Sequence, residues 1–341
     1  MKIALDAMGG DFGSAPNLAG ARLALENYPA ITGLLLVGRE DELKVGLQKI
    51  GLSDPRIEIV HASEVVEMSD SAVSAVRRKK DSSINVATDL VKSGRAQAVV
   101  SAGHTGAAVA ASTVKLRNIP GIDRAGILSP FPNDVQGICY LIDAGANVDS
   151  RPEHLVQQAL MAWTYVKHVH GKENPAVGLM SNGEEDSKGN EVTKEVFQRL
   201  TALREHGFNF KGNVEGRDIL TAPIDVAVCD GFVGNVLLKG CEGTAKAITR
   251  ALKAELTASF FRKMLALMLK KALRGVASRM SYETYGGSPL LGVNGVTIIA
   301  HGSSNAVAIQ NALRVASEVV SHSVNPHIQE SLTRFLGGNL A

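Results

Sequence analysis

The side chains with chemistry to offer sit in short glycine-rich turns. Asp6, Gly9 and Gly10 fall in Asp6-Ala-Met-Gly-Gly-Asp11, and Gly103, His104, Thr105 and Gly106 in Ser101-Ala-Gly-His-Thr-Gly-Ala107. Asp143 opens Asp143-Ala-Gly-Ala-Asn147, and Asn182, Gly183 and Lys188 share the turn from Ser181 to Gly189. Asp230, Gly231 and Asn235 share Cys229-Asp-Gly-Phe-Val-Gly-Asn235, while His301 and Ser303 share His301-Gly-Ser-Ser304. Each turn follows a short apolar run and precedes a helical pattern. Glycine lets backbone approach a ligand closely, and a helix start leaves N–H groups unpaired. Both features favour an oxyanion such as phosphate. A lysine adds a point charge, and an amide or imidazole adds a donor. The chemistry within reach is therefore holding an anion and stabilising developing negative charge.

Each residue taken alone has a plainer reading. Lys188 reads as a surface lysine as readily as a phosphate ligand, and Asn235 as a turn or helix-capping residue. His104 and His301 read equally as hydrogen-bonded loop histidines. Glu184-Glu185-Asp186 reads as a solvated loop rather than a metal site. The sequence has no Walker A motif, no G-x-G-x-x-G after a strand, no G-x-S-x-G, no H-E-x-x-H and no C-x-x-C. Cys139, Cys229 and Cys241 lie in apolar segments without metal-ligand spacing and read as reduced thiols. No metal and no cofactor is expected.

The elements that must position these turns alternate regularly. Ile3–Leu5, Leu34–Val37, Ile57–Val60, Ala98–Val100, Ile138–Ile142, Val177–Met180, Val226–Cys229 and Val296–Ala300 read as strands, with Val226–Cys229 buried on both faces. Helical patterns separate them, including 40–50, 152–170 and 191–206. The helix after Val226–Cys229 is expected to begin beyond a turn holding Asp230, Gly231, Gly234 and Asn235. Alternation of this kind predicts an α/β fold with a mainly parallel central sheet flanked by helices. The strands' carboxyl ends then share one edge, where the turns converge. No linker divides residues 1–341, so the chain reads as a single α/β unit, with any second lobe interleaved.

Two stretches are strongly basic. A predicted helix over 69–80 ends in Arg77-Arg-Lys-Lys80, which suits either the helix dipole or an anion-attracting rim. Residues 246–280 carry nine lysines and arginines against the single acid Glu255. Phe261, Leu265, Met268, Leu269 and Val276 fall mostly on one helical face, and Lys263, Lys270, Lys271 and Arg274 mostly on the other. This basic amphipathic segment suits a membrane surface or a dimer contact. The net charge of +2 over 341 residues points to no nucleic-acid partner. No uncharged apolar run approaches the ~20 residues of a spanning helix. With Lys2–Asp6 read as a strand, no leader precedes it, and the expected location is cytoplasmic.

The turns in this order resemble the bacterial phosphate acyltransferases of phospholipid synthesis, over nearly the whole chain. The resemblance implies an isocitrate/isopropylmalate dehydrogenase-like fold related to phosphotransacetylases. It implies transfer of a fatty acyl group from acyl carrier protein to inorganic phosphate, with Lys188 and Asn235 as the catalytic pair. Asp6, Gly9, Gly10, Gly103, His104, Thr105, Gly106, Asp143, Asn182, Gly183, Asp230, Gly231, His301 and Ser303 are the implied substrate-binding positions. A homodimer, peripheral attachment to an anionic membrane surface and delivery of acyl phosphate to a membrane glycerol 3-phosphate acyltransferase are also implied. Two positions depart from the family's pattern: His104 stands where asparagine is usual, and Asn182 where an aliphatic residue is usual. The rival expectations are an NAD-dependent decarboxylating dehydrogenase of the same fold, and a non-enzymatic membrane-binding scaffold.

Overall fold

Apolar runs with no polar alternation must be covered on both faces, and the inner strands of the first sheet are. In β1 (Lys2–Asp6), Ile3 and Leu5 enter one core and Ala4 another. The same split divides Leu34 and Leu36 from Leu35 and Val37 in β2 (Gly33–Gly38). The computed structural model describes residues 1–135, 137–279 and 285–337. The remaining strands are β3 (Ile57–His61), β4 (Ala98–Ser101), β5 (Gly126–Ile127), β6 (Ser129–Asn133), β7 (Gly137–Ile142), β8 (Val177–Met180), β9 (Phe210–Val214), β10 (Val226–Val228), β11 (Ser288–Leu291) and β12 (Val296–Ile299). The helices are α1 (Ser14–Asn27), α2 (Glu40–Lys49), α3 (Ala72–Arg78), α4 (Ser83–Lys92), α5 (Thr105–Leu116), α6 (Pro152–Val169), α7 (Glu191–Ala202), α8 (Asp218–Thr221), α9 (Gly231–Thr257), α10 (Phe260–Met268), α11 (Lys270–Arg279), α12 (Ala306–Ser321) and α13 (Val324–Leu336).

The strands form two sheets, not one central sheet. The first has the order β3-β2-β1-β4-β12-β11-β5, and the second β6-β7-β10-β8-β9. The chain leaves the first sheet after β5, builds the second, and returns at β11. Alternation of strands and helices foretells parallel pairing but not which strands pair. Pairing is parallel except where β11 meets β12 and β5, and where β6 meets β7. Pro130 and Pro132 are accommodated because β6 is an edge strand. One core serves both sheets: Ile3, Leu5, Leu34 and Leu36 share it with Ile142, Leu179, Val226 and Val228. Between them lies α6, with Leu155, Ala159, Leu160, Met161 and Ala162 all nearly or fully buried. Truncating such a side chain to alanine costs about 2–5 kcal/mol.

Two helical expectations need revision. The helix expected over 69–80 is shorter, Ala72–Arg78, because Asp70 folds its own turn ahead of it. The Asp70 carboxylate accepts from the Glu67 N–H at 2.8 Å and pairs with Lys79 at 2.7 Å. Lys79 is therefore neutralised locally. The basic segment is not one helix but the end of α9 followed by α10 and α11. Ser259 caps α10, its hydroxyl accepting from the Arg262 N–H at 3.2 Å. None of the α10 residues is buried; Phe260 and Met268 are each more than four-fifths exposed. Met280, the far end of the expected segment, lies outside the described residues. Among the described residues, no helix is long and apolar enough to cross a membrane.

Candidate active site

Three turns of the first sheet meet at its carboxyl edge. They follow the adjacent strands β1, β4 and β12. A side chain at Gly9 would lie 2.6 Å from the Gly103 nitrogen, so only glycine lets the first two turns touch. The Asp11 N–H donates to the Gly302 carbonyl at 2.8 Å, which joins the third. Gly10, at φ +111°, makes this crossing in a conformation other residues rarely adopt. Asp6 is buried beneath, accepting from the Ser101 hydroxyl at 2.7 Å. Burial pushes its carboxyl above the usual range, while the Ser83 and Ser101 hydroxyls pull against this. Asp6 therefore supports the turns from below.

His104 has a local structural part. It is the N-cap of α5, with Nδ1 accepting from the Ala107 N–H at 3.3 Å. An asparagine would cap the same way. In the neutral ring this leaves the proton on Nε2. Thr105 begins α5 and is exposed, and Gly106 packs against α3, where a side chain would sit 3.0 Å from the Ala72 Cβ.

The second sheet supplies the other half. Its central strands β7, β10 and β8 are parallel neighbours, so Asp143, Asp230 and Ser181 leave from one edge. Asp143 is fully buried and accepts from the backbone N–H groups of Ile127, Gly145, Ala146 and Asn147, and from the Asn147 amide. Burial pushes its carboxyl up and these donors pull it back. Its oxygens face the loop, which makes Asp143 a scaffold residue. The expected turn before α9 is also revised. The helix begins at Gly231, capped by Asp230, whose Oδ1 accepts from the Val233 N–H at 2.8 Å. Gly234 and Asn235 are inside it, and Asn235 is not the cap. The helix can start this early because its first turn rests on bare backbone. Side chains at Gly231 and Gly234 would lie 2.4 Å from the Asn147 oxygen and 2.0 Å from the Asp143 oxygen.

Asn235 and Lys188 stand apart from these buried aspartates. Asn235 is exposed, with its side chain against Gly145. Lys188 is exposed, its stem packed on the buried Gly183, and its ammonium makes no ion pair among the described residues. Asn182 does not face outward alone: its Oδ1 accepts from the Gly189 N–H at 2.9 Å and closes the loop that carries Lys188. Asn213 ties the same loop from β9, donating to the Glu185 carbonyl at 2.9 Å.

The two halves are joined by α9. Asn235, Lys239 and Glu242 recur at helical spacing and share one face. Glu242 lies 3.1 Å from the Lys239 ammonium and 3.7 Å from His301 Nε2, while Lys239 lies 3.4 Å from that nitrogen. The other ring nitrogen, Nδ1, lies 2.8 Å from the Ser303 hydroxyl and 3.1 Å from the Ser303 backbone nitrogen. His301 and Lys239 hold the Glu242 carboxyl far down, at about 2. The face of α9 that carries Asn235 thus meets the first-sheet turns. Sequence reading missed Lys239 and Glu242; their spacing from Asn235 was the available signal. A 370 Å³ cavity lined by Lys2, Glu58, Arg95 and Gln97 lies at the opposite end of β1 and has no part in this arrangement. Among the described residues, no three His, Cys, Asp or Glu side chains group to hold a metal ion.

The α/β fold is one that phosphotransacetylases share. The chain matches the phosphotransacetylase structure from Streptococcus pyogenes with a TM-score of 0.60, at 17% identity, over 94% of each chain. Residues 1–327 match the family described as fatty acid synthesis protein. The phosphate acyltransferase of Akkermansia muciniphila is 55% identical over 337 residues, 98% of this chain and 96% of that protein. That of Pelotomaculum thermopropionicum is 48% identical over 344 residues, covering 100% and 98%. The chain belongs to this phosphate acyltransferase family and is an enzyme of the acyltransferase type.

Proposed function

We propose that the chain transfers a fatty acyl group from the thioester of acyl carrier protein to inorganic phosphate. The acyl phosphate formed would pass to a membrane acyltransferase that acylates glycerol 3-phosphate. The observation that carries this reading is the placement of Asn235: an exposed amide at the start of α9, on the face that meets His301. Phosphate near neutral pH is already anionic and needs positioning more than deprotonation. A thiol of pKa around 8.5 leaves without a strong acid. The demanding tasks are holding phosphate against the carbonyl and stabilising the tetrahedral oxyanion. Lys188 neutralises phosphate, and the Asn235 amide orients it or binds the oxyanion. Asp6 and Asp143 act beneath, holding the turns in place.

The exposed apolar side chains of α10 support a covered state for that arm, since patches of this kind mark interaction surfaces. We assign it to an anionic membrane surface, with homodimerisation through neighbouring residues. The testing experiment follows acyl–carrier thioester consumption with and without phosphate. Consumption that depends on phosphate and survives exhaustive chelation is expected. Phosphate-independent consumption would overturn the reading, and strict restoration by one divalent ion would overturn its metal-free chemistry.

A further inference from the structure

We propose that Glu242, His301 and Ser303 form a carboxylate–imidazole–hydroxyl relay that carries the proton lost by phosphate to the sulfur that leaves. Glu242 is the positioning residue and Ser303 the group that meets the substrate; the relay rests on the acyl transfer proposed above.

The three groups stand in series across the junction of the two sheets. Glu242 comes from α9, which starts at the second sheet, and His301 and Ser303 follow β12 of the first. The Ser303 backbone N–H, which can only donate, points at His301 Nδ1 at 3.1 Å. Nδ1 is therefore the acceptor in the neutral ring, and the ring proton sits on Nε2, toward the Glu242 carboxylate at 3.7 Å. The Ser303 hydroxyl, 2.8 Å from Nδ1, is then placed to give its proton to the ring. The Glu242 carboxylate stands beyond hydrogen-bond distance of Nε2 and acts on the ring as a nearby negative charge, while the Ser303 groups hold Nδ1. Glu242 suits the part, because its carboxyl stays ionised far below neutral pH. Among the described residues, a second charge from α9 also faces the ring. Lys239, 3.4 Å from Nε2, opposes an imidazolium, but its ammonium is paired with Glu242 at 3.1 Å. Asp11 lies against Gly302, beside the histidine.

The proton balance is simple. A phosphate oxygen bonds to the thioester carbonyl carbon, and the carbon–sulfur bond breaks with its electron pair on sulfur. The monohydrogen phosphate proton passes to Ser303 as the Ser303 proton passes to His301. The same path reversed delivers the proton to the thiolate. The products are acyl phosphate dianion and free thiol, and the relay ends as it began.

The test compares Glu242→Gln, Ser303→Ala and the double variant in the full chain, with kcat, phosphate KM and thermal midpoint measured against pH. Glu242→Gln is expected to lower kcat about tenfold with phosphate KM unchanged, and to lower the neutral-pH thermal midpoint because the stability contributed by the depressed carboxyl is lost. Glu242→Asp should restore part of the lost kcat. Ser303→Ala should lower kcat similarly, and adding Glu242→Gln to it should cost little more. Full turnover in Glu242→Gln, no recovery in Glu242→Asp, or losses that multiply in the double variant would overturn the relay. If wild-type protein consumes no thioester in a phosphate-dependent way, the acyl-transfer reading itself fails. That outcome is separate from normal wild-type turnover with unaffected variants, which rejects the relay alone.

Discussion

The carboxylates and the exposed donors of this site are treated in opposite ways. Asp6 and Asp143 are buried, and Asp143 accepts from five donors. Lys188 and Asn235 are exposed, and neither side chain has a hydrogen-bond or ion-pair partner among the described residues. Buried polar groups need partners to be tolerated, whereas a ligand-binding group is useful only while a bond remains to be made. Satisfaction sets Asp143 apart from Lys188 and Asn235, whereas the buried Oδ1 of Asp6 has no hydrogen-bond partner among the described residues.

The sharpest way to break this contrast is Asn235→Asp. Asp230, not Asn235, caps α9, so an aspartate here has no cap to inherit. It places a carboxylate against an anion, and turnover should fall by on the order of a hundredfold or more. The thermal midpoint should barely change. Near-normal turnover in a stable variant would remove Asn235 from the site.

The scaffold side is probed by a pair of alanines in one helix. Gly234→Ala would put a methyl group 2.0 Å from the Asp143 carbonyl oxygen and should cost about 1–3 kcal/mol as the helix start shifts. Gly240→Ala meets nothing within 4 Å and should stabilise by about 0.5–1 kcal/mol. Thermal midpoints moving in the same direction would show that the helix start does not rest on that loop.

Farther from the site, replacing Lys263, Lys270 and Lys271 by glutamine should weaken binding to anionic vesicles, each cation contributing about 1 kcal/mol. Flotation at moderate salt reads this, and unchanged binding would reject electrostatic attachment. The smallest effect is on acid stability. The folded state holds the Glu242 carboxyl at about 2 against an ordinary 4.5. A depressed carboxyl contributes stability above its unfolded value, and that contribution is lost as pH falls through the window between the two. The thermal midpoint of wild type should therefore drop more steeply from pH 4.5 to 2 than that of Glu242→Gln. Parallel profiles would mean the pair with His301 is not formed.

Much of this was legible in the sequence because it is local. Buried strands announce themselves as apolar runs, so β1, β2, β4, β8 and β10 were readable within a residue or two. What was not legible depends on partners far along the chain. The division into two sheets follows from β5 and β6 pairing with different strands, and nothing in Gly126–Asn133 specifies that choice. The early start of α9 follows from the Asn147 and Asp143 backbone lying against Gly231 and Gly234. The sequence shows the glycines but not what they touch. The spacing of Glu242 from Asn235 was readable, but its partner His301, 59 residues away, was not.

The central claim is acyl transfer to phosphate at the edge held by Lys188 and Asn235. The most direct measurement is the ratio of acyl phosphate formed to thiol released, with radiolabelled phosphate and acyl–carrier thioester, in wild type and Asn235→Asp. One labelled acyl phosphate per thiol in wild type, with both products lost together in the variant, is the predicted result. Thiol released without labelled acyl phosphate, or a variant that keeps the wild-type yield and rate, would contradict it.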